Sequence, residues 1–154
     1  MFKRLVGVAL LASIILTITG CSQPIRATQV TARVEGDTVL IPVGEVANAK
    51  NTRFTLKTVA GEVNFMAYTV EEDLYVRANV CPPCRSIGFS LKEKTLICDR
   101  CATTFNAETG AGIKGACVNF PKAGVPYTFK DGKIIMKVSD LATAYQNTLE
   151  PGLP

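Results

Sequence analysis

The chain of 154 residues contains no histidine and no tryptophan, and the first absence excludes a great deal of chemistry. Without an imidazole, neither a Ser-His-Asp nor a Cys-His nucleophile can be assembled. His-ligated zinc enzymes and His-ligated copper centres are excluded too. Any metal must be held by thiolate, carboxylate or carbonyl groups. Charge of one sign is also scarce, with 17 basic against 13 acidic residues and a net charge of +4. Setting aside Lys3 and Arg4, which precede an apolar run, lowers this to about +2. No basic tract remains to grip phosphates, so no nucleic-acid partner is expected. No general acid–base constellation is visible. Glu71, Glu72 and Asp73 share one polar turn and read as solvated. An electron carrier or metal-binding protein is therefore expected rather than an enzyme.

The longest apolar run is N-terminal. Lys3 and Arg4 supply a positive start, and residues 5–16 are apolar. The run is short of the roughly 20 residues that span a bilayer and fits a secretory signal. Ile18-Thr19-Gly20-Cys21 then resembles the lipobox of bacterial lipoproteins. That resemblance implies cleavage after Gly20, lipidation of Cys21 and a membrane-anchored, extracytoplasmic protein. Several acyl chains anchor stably because each buried methylene adds about 0.8 kcal/mol. The alternative is an ordinary signal peptide or signal anchor with Cys21 incidental. The expected organisation is a signal peptide at 1–20, a lipidated tether at 21–27, a β domain at 28–138, and a short helix and tail at 139–154.

Beyond the tether the hydrophobic period is mostly two, the signature of half-buried strands. Phe54 and Leu56 alternate with Arg53, Thr55 and Lys57, and Leu74, Val76 and Ala78 share one face. Strands are expected at 28–34, 38–42, 53–59, 62–70, 74–80, 88–91 and 95–98. Residues 127–130 and 133–138, joined by Asp131-Gly132, give a hairpin signal. Only 43–49 and 139–146 read as helical, the second with Ser139 or Asp140 as N-cap. The tail from Glu150 is expected to be loose. Strands recurring about every ten residues point to an all-β sandwich or small barrel.

The chemistry lies in the cysteines. Cys81-Pro82-Pro83-Cys84 and Cys98-Asp99-Arg100-Cys101 each end a predicted strand, and Cys117 follows alone. Two C-x-x-C knuckles can aim four sulfurs at one point, as tetrahedral thiolate coordination requires. Disulfides are an alternative outside the cytoplasm, as is a thioredoxin-like dithiol at Cys81 and Cys84. A structural zinc site is the strongest rival.

The run Cys98-Asp99-Arg100-Cys101-Ala102-Thr103-Thr104-Phe105-Asn106-Ala107-Glu108-Thr109-Gly110, followed by Gly115, resembles the second cluster-binding loop of Rieske proteins. Cys101 stands where that family has histidine, Ala102 where it has glycine, and Asn106 where it has aspartate. From about Leu74 to Val138 the sequence is similar to the FtrD-like family of bacterial membrane proteins, Fe-S-containing and associated with ferrous-iron uptake. The paired C-x-x-C turns, Phe105 and Gly115-Ala116-Cys117 carry that similarity.

These resemblances imply a Rieske-like antiparallel β-sandwich or small barrel with metal loops at 81–84 and 98–101. They imply an iron-sulfur cluster on Cys81, Cys84, Cys98 and Cys101, with [2Fe-2S] favoured over a single iron and Zn2+ as the alternative. By analogy with Rieske sites, Cys81 and Cys98 would bind one iron, and Cys84 and Cys101 the other. The implied role is one-electron transfer with a membrane redox or iron-transport partner. The alternatives are a zinc-stabilised docking or metal-handling lipoprotein and a thiol-disulfide protein. Cys117 is a spare ligand, a reactive thiol, an intermolecular bridge or an inert buried thiol. Arg85 and Arg100 adjoin ligand cysteines and either offset thiolate charge or are simply solvated. Phe105 and Ile87 are expected to pack beneath the loops.

Overall fold

The computed structural model describes residues 22–59 and 61–152. Its elements, in chain order, are β1 (Thr28–Gln29), β2 (Arg33–Glu35), β3 (Thr38–Pro42), α1 (Val43–Ala49), β4 (Asn51–Thr58), β5 (Gly61–Val70) and β6 (Asp73–Ala78). They continue with β7 (Phe89–Lys92), β8 (Thr95–Cys98), β9 (Thr104–Asn106), β10 (Gly112–Lys114), β11 (Thr128–Lys130), β12 (Lys133–Lys137) and α2 (Val138–Leu149). The signal segment and Cys21 lie outside the described residues. No described helix is long and apolar enough to cross a membrane.

The strands form three four-stranded sheets, ordered β1-β4-β5-β6, β10-β9-β8-β7 and β11-β12-β3-β2. Every pairing between these strands is antiparallel except β1 with β4. The segment expected as one strand at 28–34 is split. Thr28–Gln29 pairs with β4 and Arg33–Glu35 with β3.

Strand β5 explains how the sheets share a core. Successive side chains of a strand point to opposite faces, and both faces of β5 are covered. Phe65 and Ala67 join one apolar cluster with Ile41, Phe54, Ile134 and Leu141. Met66, Tyr68 and Val70 join a second with Phe89, Leu96, Phe105 and buried cysteines. Phe54 lies opposite Phe65 in the β4–β5 register, and their rings stack at 5.5 Å.

Local chemistry sets the connections. Asp131-Gly132 turns β11 into β12 with φ of 51° and 69°, the left-handed pair that tight hairpins demand. Helix α2 packs Leu141, Ala144 and Thr148 inward, and the Thr148 hydroxyl accepts the Ala123 amide at 2.9 Å. Its N-cap is Lys137, without a side-chain cap, rather than Ser139 or Asp140. The helix follows β12 directly, and the Val138 amide donates to Asp37 O at 2.8 Å, so one orphan donor is already satisfied. Within the segment expected to be loose, the Gly152 amide donates to Asn119 O at 2.6 Å.

Candidate metal centre

The two C-x-x-C segments fold alike. In the first, the Cys81 amide donates to Ser86 O at 2.8 Å; in the second, the Cys98 amide donates to Thr103 O at 2.9 Å. In each, the residue after the second cysteine takes a left-handed conformation, with φ of 56° at both Arg85 and Ala102. L-residues with a Cβ disfavour this region, which accounts for the glycine that Rieske loops place where Ala102 stands. Asp99 fixes the second knuckle to β7. Its carboxylate accepts the Ser90 hydroxyl at 2.6 Å, and its amide donates to Gly88 O at 3.0 Å. Asn106 closes the following loop by accepting the amides of Glu108 and Thr109 at 2.9 and 2.8 Å. Either an amide or a carboxylate oxygen can do this, so the aspartate-to-asparagine difference leaves the turn intact.

The knuckles bring Cys81, Cys84, Cys98 and Cys101 into one contact network and add Cys117. All five are free thiols. The sulfurs of Cys81, Cys84, Cys101 and Cys117 lie within 4.8 Å of one another. The Cys98 sulfur is 3.7 Å from that of Cys84, and the Cys101 sulfur 3.7 Å from that of Cys117. A tetrahedral ion about 2.3 Å from each thiolate needs sulfurs about 3.8 Å apart, so the spacing is that of ligands rather than of unrelated side chains.

Thr103 ties Cys117 to the second knuckle. Its hydroxyl oxygen accepts the Cys117 amide at 3.2 Å and the Cys101 thiol, also at 3.2 Å. Gly115 makes this approach possible. It sits at φ +122°, and a Cβ there would fall 2.6 Å from the Thr103 hydroxyl. Burial alone would push the Cys101 thiol up. Hydrogen bonds from the Thr103 hydroxyl and amide, and from Cys98 and Cys84, outweigh it and bring Cys101 down to about 6. Burial pushes the Cys81 thiol up, reinforced by Cys84 and Cys117. Burial also raises the Cys98 thiol.

The surroundings test whether a negatively charged group belongs here. Among the described residues the buried charged side chains are Arg77 and Lys122, and no carboxylate is buried. Arg77 donates to Tyr68 Oη at 2.9 Å, to Lys122 O at 2.7 Å and to Glu108 O. The Tyr68 hydroxyl, pushed up to about 12 chiefly by burial, donates to Ala107 O. Lys122 lies over the Phe105 and Phe89 rings, both in the thiol-bearing cluster. Buried cations without buried anions are costly. A centre of soft thiolates supplies the missing negative charge, and thiolates are the ligands iron-sulfur clusters take. The residues fit the group.

One expectation needs correction and another an addition. Ile87 is 48% exposed rather than packed beneath the loops, whereas Phe105 is fully buried. Arg85 and Arg100 are exposed, in keeping with the solvated reading, and the buried positive charges are Lys122 and Arg77. Neither was marked by the sequence. Arg77 occupies a strand position that reads as solvent-facing, and Lys122 follows Pro121 in a loop where a lysine reads as solvated.

Over residues 46–147 the chain matches the family model for membrane iron-sulfur containing proteins that are FtrD-like. Among solved structures it is similar to the complex of reduced oxygenase and oxidized ferredoxin in carbazole 1,9a-dioxygenase. That match has a TM-score of 0.55 at 15% identity, covering 68% of this chain and 95% of the other. A Sphingomonas yanoikuyae B1 ferredoxin matches at a TM-score of 0.44 and 21% identity, over 48% of this chain and 74% of its own. No curated protein matches the chain. Fold and site together define the class as a Rieske-like β protein with a cysteine metal centre. The chain belongs to the FtrD-like family of membrane iron-sulfur proteins.

Proposed function

We propose that the protein is a lipid-anchored, extracytoplasmic one-electron carrier whose iron-sulfur centre serves iron uptake or membrane redox metabolism. The observation that carries this reading is the gathering of the Cys81, Cys84, Cys101 and Cys117 sulfurs within 4.8 Å of one another, with Cys98 in contact with Cys84 and the buried Lys122 ammonium over the neighbouring rings. Cys81, Cys84, Cys98 and Cys101 are the proposed ligands, and Cys117, grouped with Cys81, Cys84 and Cys101, is placed to stand in for Cys98. Four thiolates complete either a single tetrahedral ion or a [2Fe-2S] cluster, and the iron-sulfur family to which the chain belongs makes [2Fe-2S] our preferred assignment. When bound, such a cluster accepts and releases one electron, at about −400 mV for plant-type all-cysteine sites against −150 to +300 mV for Rieske centres. The chain's own residues bind it, exclude water with Phe89 and Phe105, and compensate its charge with Lys122 and Arg77.

The N-terminal segment supports the anchor. The Ile25 amide donates to Leu91 O at 2.6 Å and the Leu91 amide to Ile25 O at 2.8 Å. Asn51 also donates its side-chain amide to Ile25 O at 2.8 Å. Ile25 is thereby pinned to β7, the strand that pairs with the Cys98 strand. Four residues of extended chain reach about 14 Å, so a lipid on Cys21 would hold the metal-bearing sheet close to the bilayer.

Expression of the full chain with a clickable palmitate analogue tests both halves of the proposal. The expected product is labelled, membrane-bound and reversibly bleached by one electron equivalent, and Cys21→Ser abolishes label and membrane retention. An unlabelled, secreted product would sink the anchor. A colourless, redox-silent product would sink the carrier.

A further inference from the structure

Lys122 is fully buried, yet no ion pair among the described residues includes it. Its Nζ donates to Val80 O at 2.9 Å, the carbonyl immediately before Cys81. The ammonium lies 4.6 Å above the Phe105 ring centroid and 5.4 Å above that of Phe89, a placement that holds a cation on the negative faces of aromatic rings. Its backbone is clamped as well. The Lys122 amide donates to Gly110 O at 2.8 Å, and Lys122 O accepts Arg77 Nη1 at 2.7 Å. A Cβ on Gly110, itself at φ +81°, would fall 2.1 Å from Lys122 O. These contacts together fix Lys122, with its ammonium group, in an apolar core.

We propose that Lys122 is the fixed counter-ion of the metal centre and sets its reduction potential. The inference rests on the iron-sulfur reading above. A purely structural lysine would need neither this depth nor these rings, since a hydrogen bond to Val80 O can be made by a neutral donor. Burial pulls Lys122 down to about 8, while the charges of Cys81, Cys98, Cys117 and Cys84 act to hold its proton. In a reduction step, one electron enters the cluster from an external one-electron donor, no bond forms or breaks, and no proton is taken up. The negative charge of the core grows by one unit. A nearby cation stabilises that state more than the oxidised one, because electrostatic interactions strengthen where water is excluded. Lys122 acts through the cluster and is a positioning residue.

The test compares the full chain with Lys122→Gln, which keeps a donor for Val80 O, and Lys122→Met, which keeps only the stem. Val70→Ala is the control for loosening the same core without removing charge. Redox titration with dithionite, followed optically and by EPR, is expected to show both Lys122 variants at more negative midpoints. The expected shift is at least that of a tenfold change in the reduction equilibrium, about 59 mV for one electron. Val70→Ala stays at the wild-type midpoint. Midpoints unchanged in both Lys122 variants would overturn the proposal. Failure of both metal-free variants to fold would also overturn it, because removing an uncompensated buried charge should not harm the apoprotein. A wild-type chain that takes up zinc and no iron defeats the iron-sulfur reading separately. The counter-ion is then read by chelator competition: Lys122→Gln should release zinc at tenfold less chelator, and equal release would overturn it.

Discussion

On one face of β5, Phe65 and Ala67 meet a core of aliphatic and aromatic side chains; on the other, Met66, Tyr68 and Val70 meet free thiols. The first core holds its elements by burying Phe54, Ile41, Ile134 and Leu141, and such burial is favourable without any further component. The second holds five thiols, with the buried Lys122 ammonium over its Phe89 and Phe105 rings, and a thiolate centre would supply the negative charge that this cation lacks. A strand with two covered faces lets one half act as scaffold while the other is given over to chemistry. The scaffold half should therefore tolerate loss of the centre, and the thiol half should depend on it.

The strongest way to break this contrast is Cys81→Ser. It removes a thiol in mutual reach of three others, and the expected result is loss of bound iron and sulfide. Hydrogen exchange should rise in β7–β10 while β4 and β5 keep their protection. Equal deprotection of both halves would erase the distinction. Next in size is Phe65→Ala, expected to cost about 3–5 kcal/mol. Denaturant titration should show the whole fold weakened while the cofactor absorbance of each folded molecule is unchanged. Gly115→Ala comes third, at about 1–3 kcal/mol, because its Cβ would meet the Thr103 hydroxyl and the φ of +122° disfavours a side chain. Its damage should fall on cofactor retention, measured as iron lost to a chelator over time. The smallest effect is Ala102→Gly. Relieving a left-handed residue should raise stability by up to about 1 kcal/mol, partly offset by added freedom in the unfolded chain. A lower melting temperature would show that the second knuckle is not strained at that residue.

Much of the architecture could be read from local patterns because those patterns decide locally. Thr38–Pro42, Val43–Ala49 and Thr95–Cys98 have the expected bounds, and Asp131-Gly132 turns where its chemistry requires. Strands β9 and β10 escaped notice because three residues are too few to show a period. Residues 28–34 read as continuous because composition cannot reveal which of two sheets each end joins. At the site, the repeated C-x-x-C announced itself, and Cys117 stood out as an odd thiol. What could not be read was the burial of Lys122 and Arg77. Their environment is built by contacts such as Lys122 with Val80 and Arg77 with Glu108, which are distant in sequence. Ile87 shows the same limit in reverse, an apolar residue that the loop geometry turns outward.

The central claim is that these thiols hold iron and sulfide rather than a lone structural ion. Anaerobic reconstitution of the purified chain, followed by iron, zinc and acid-labile sulfide analysis and EPR of the dithionite-reduced sample, tests it most directly. The account predicts iron with equimolar labile sulfide, visible absorption that bleaches on reduction, and a paramagnetic reduced state. One zinc per chain with no labile sulfide and no EPR signal would contradict it.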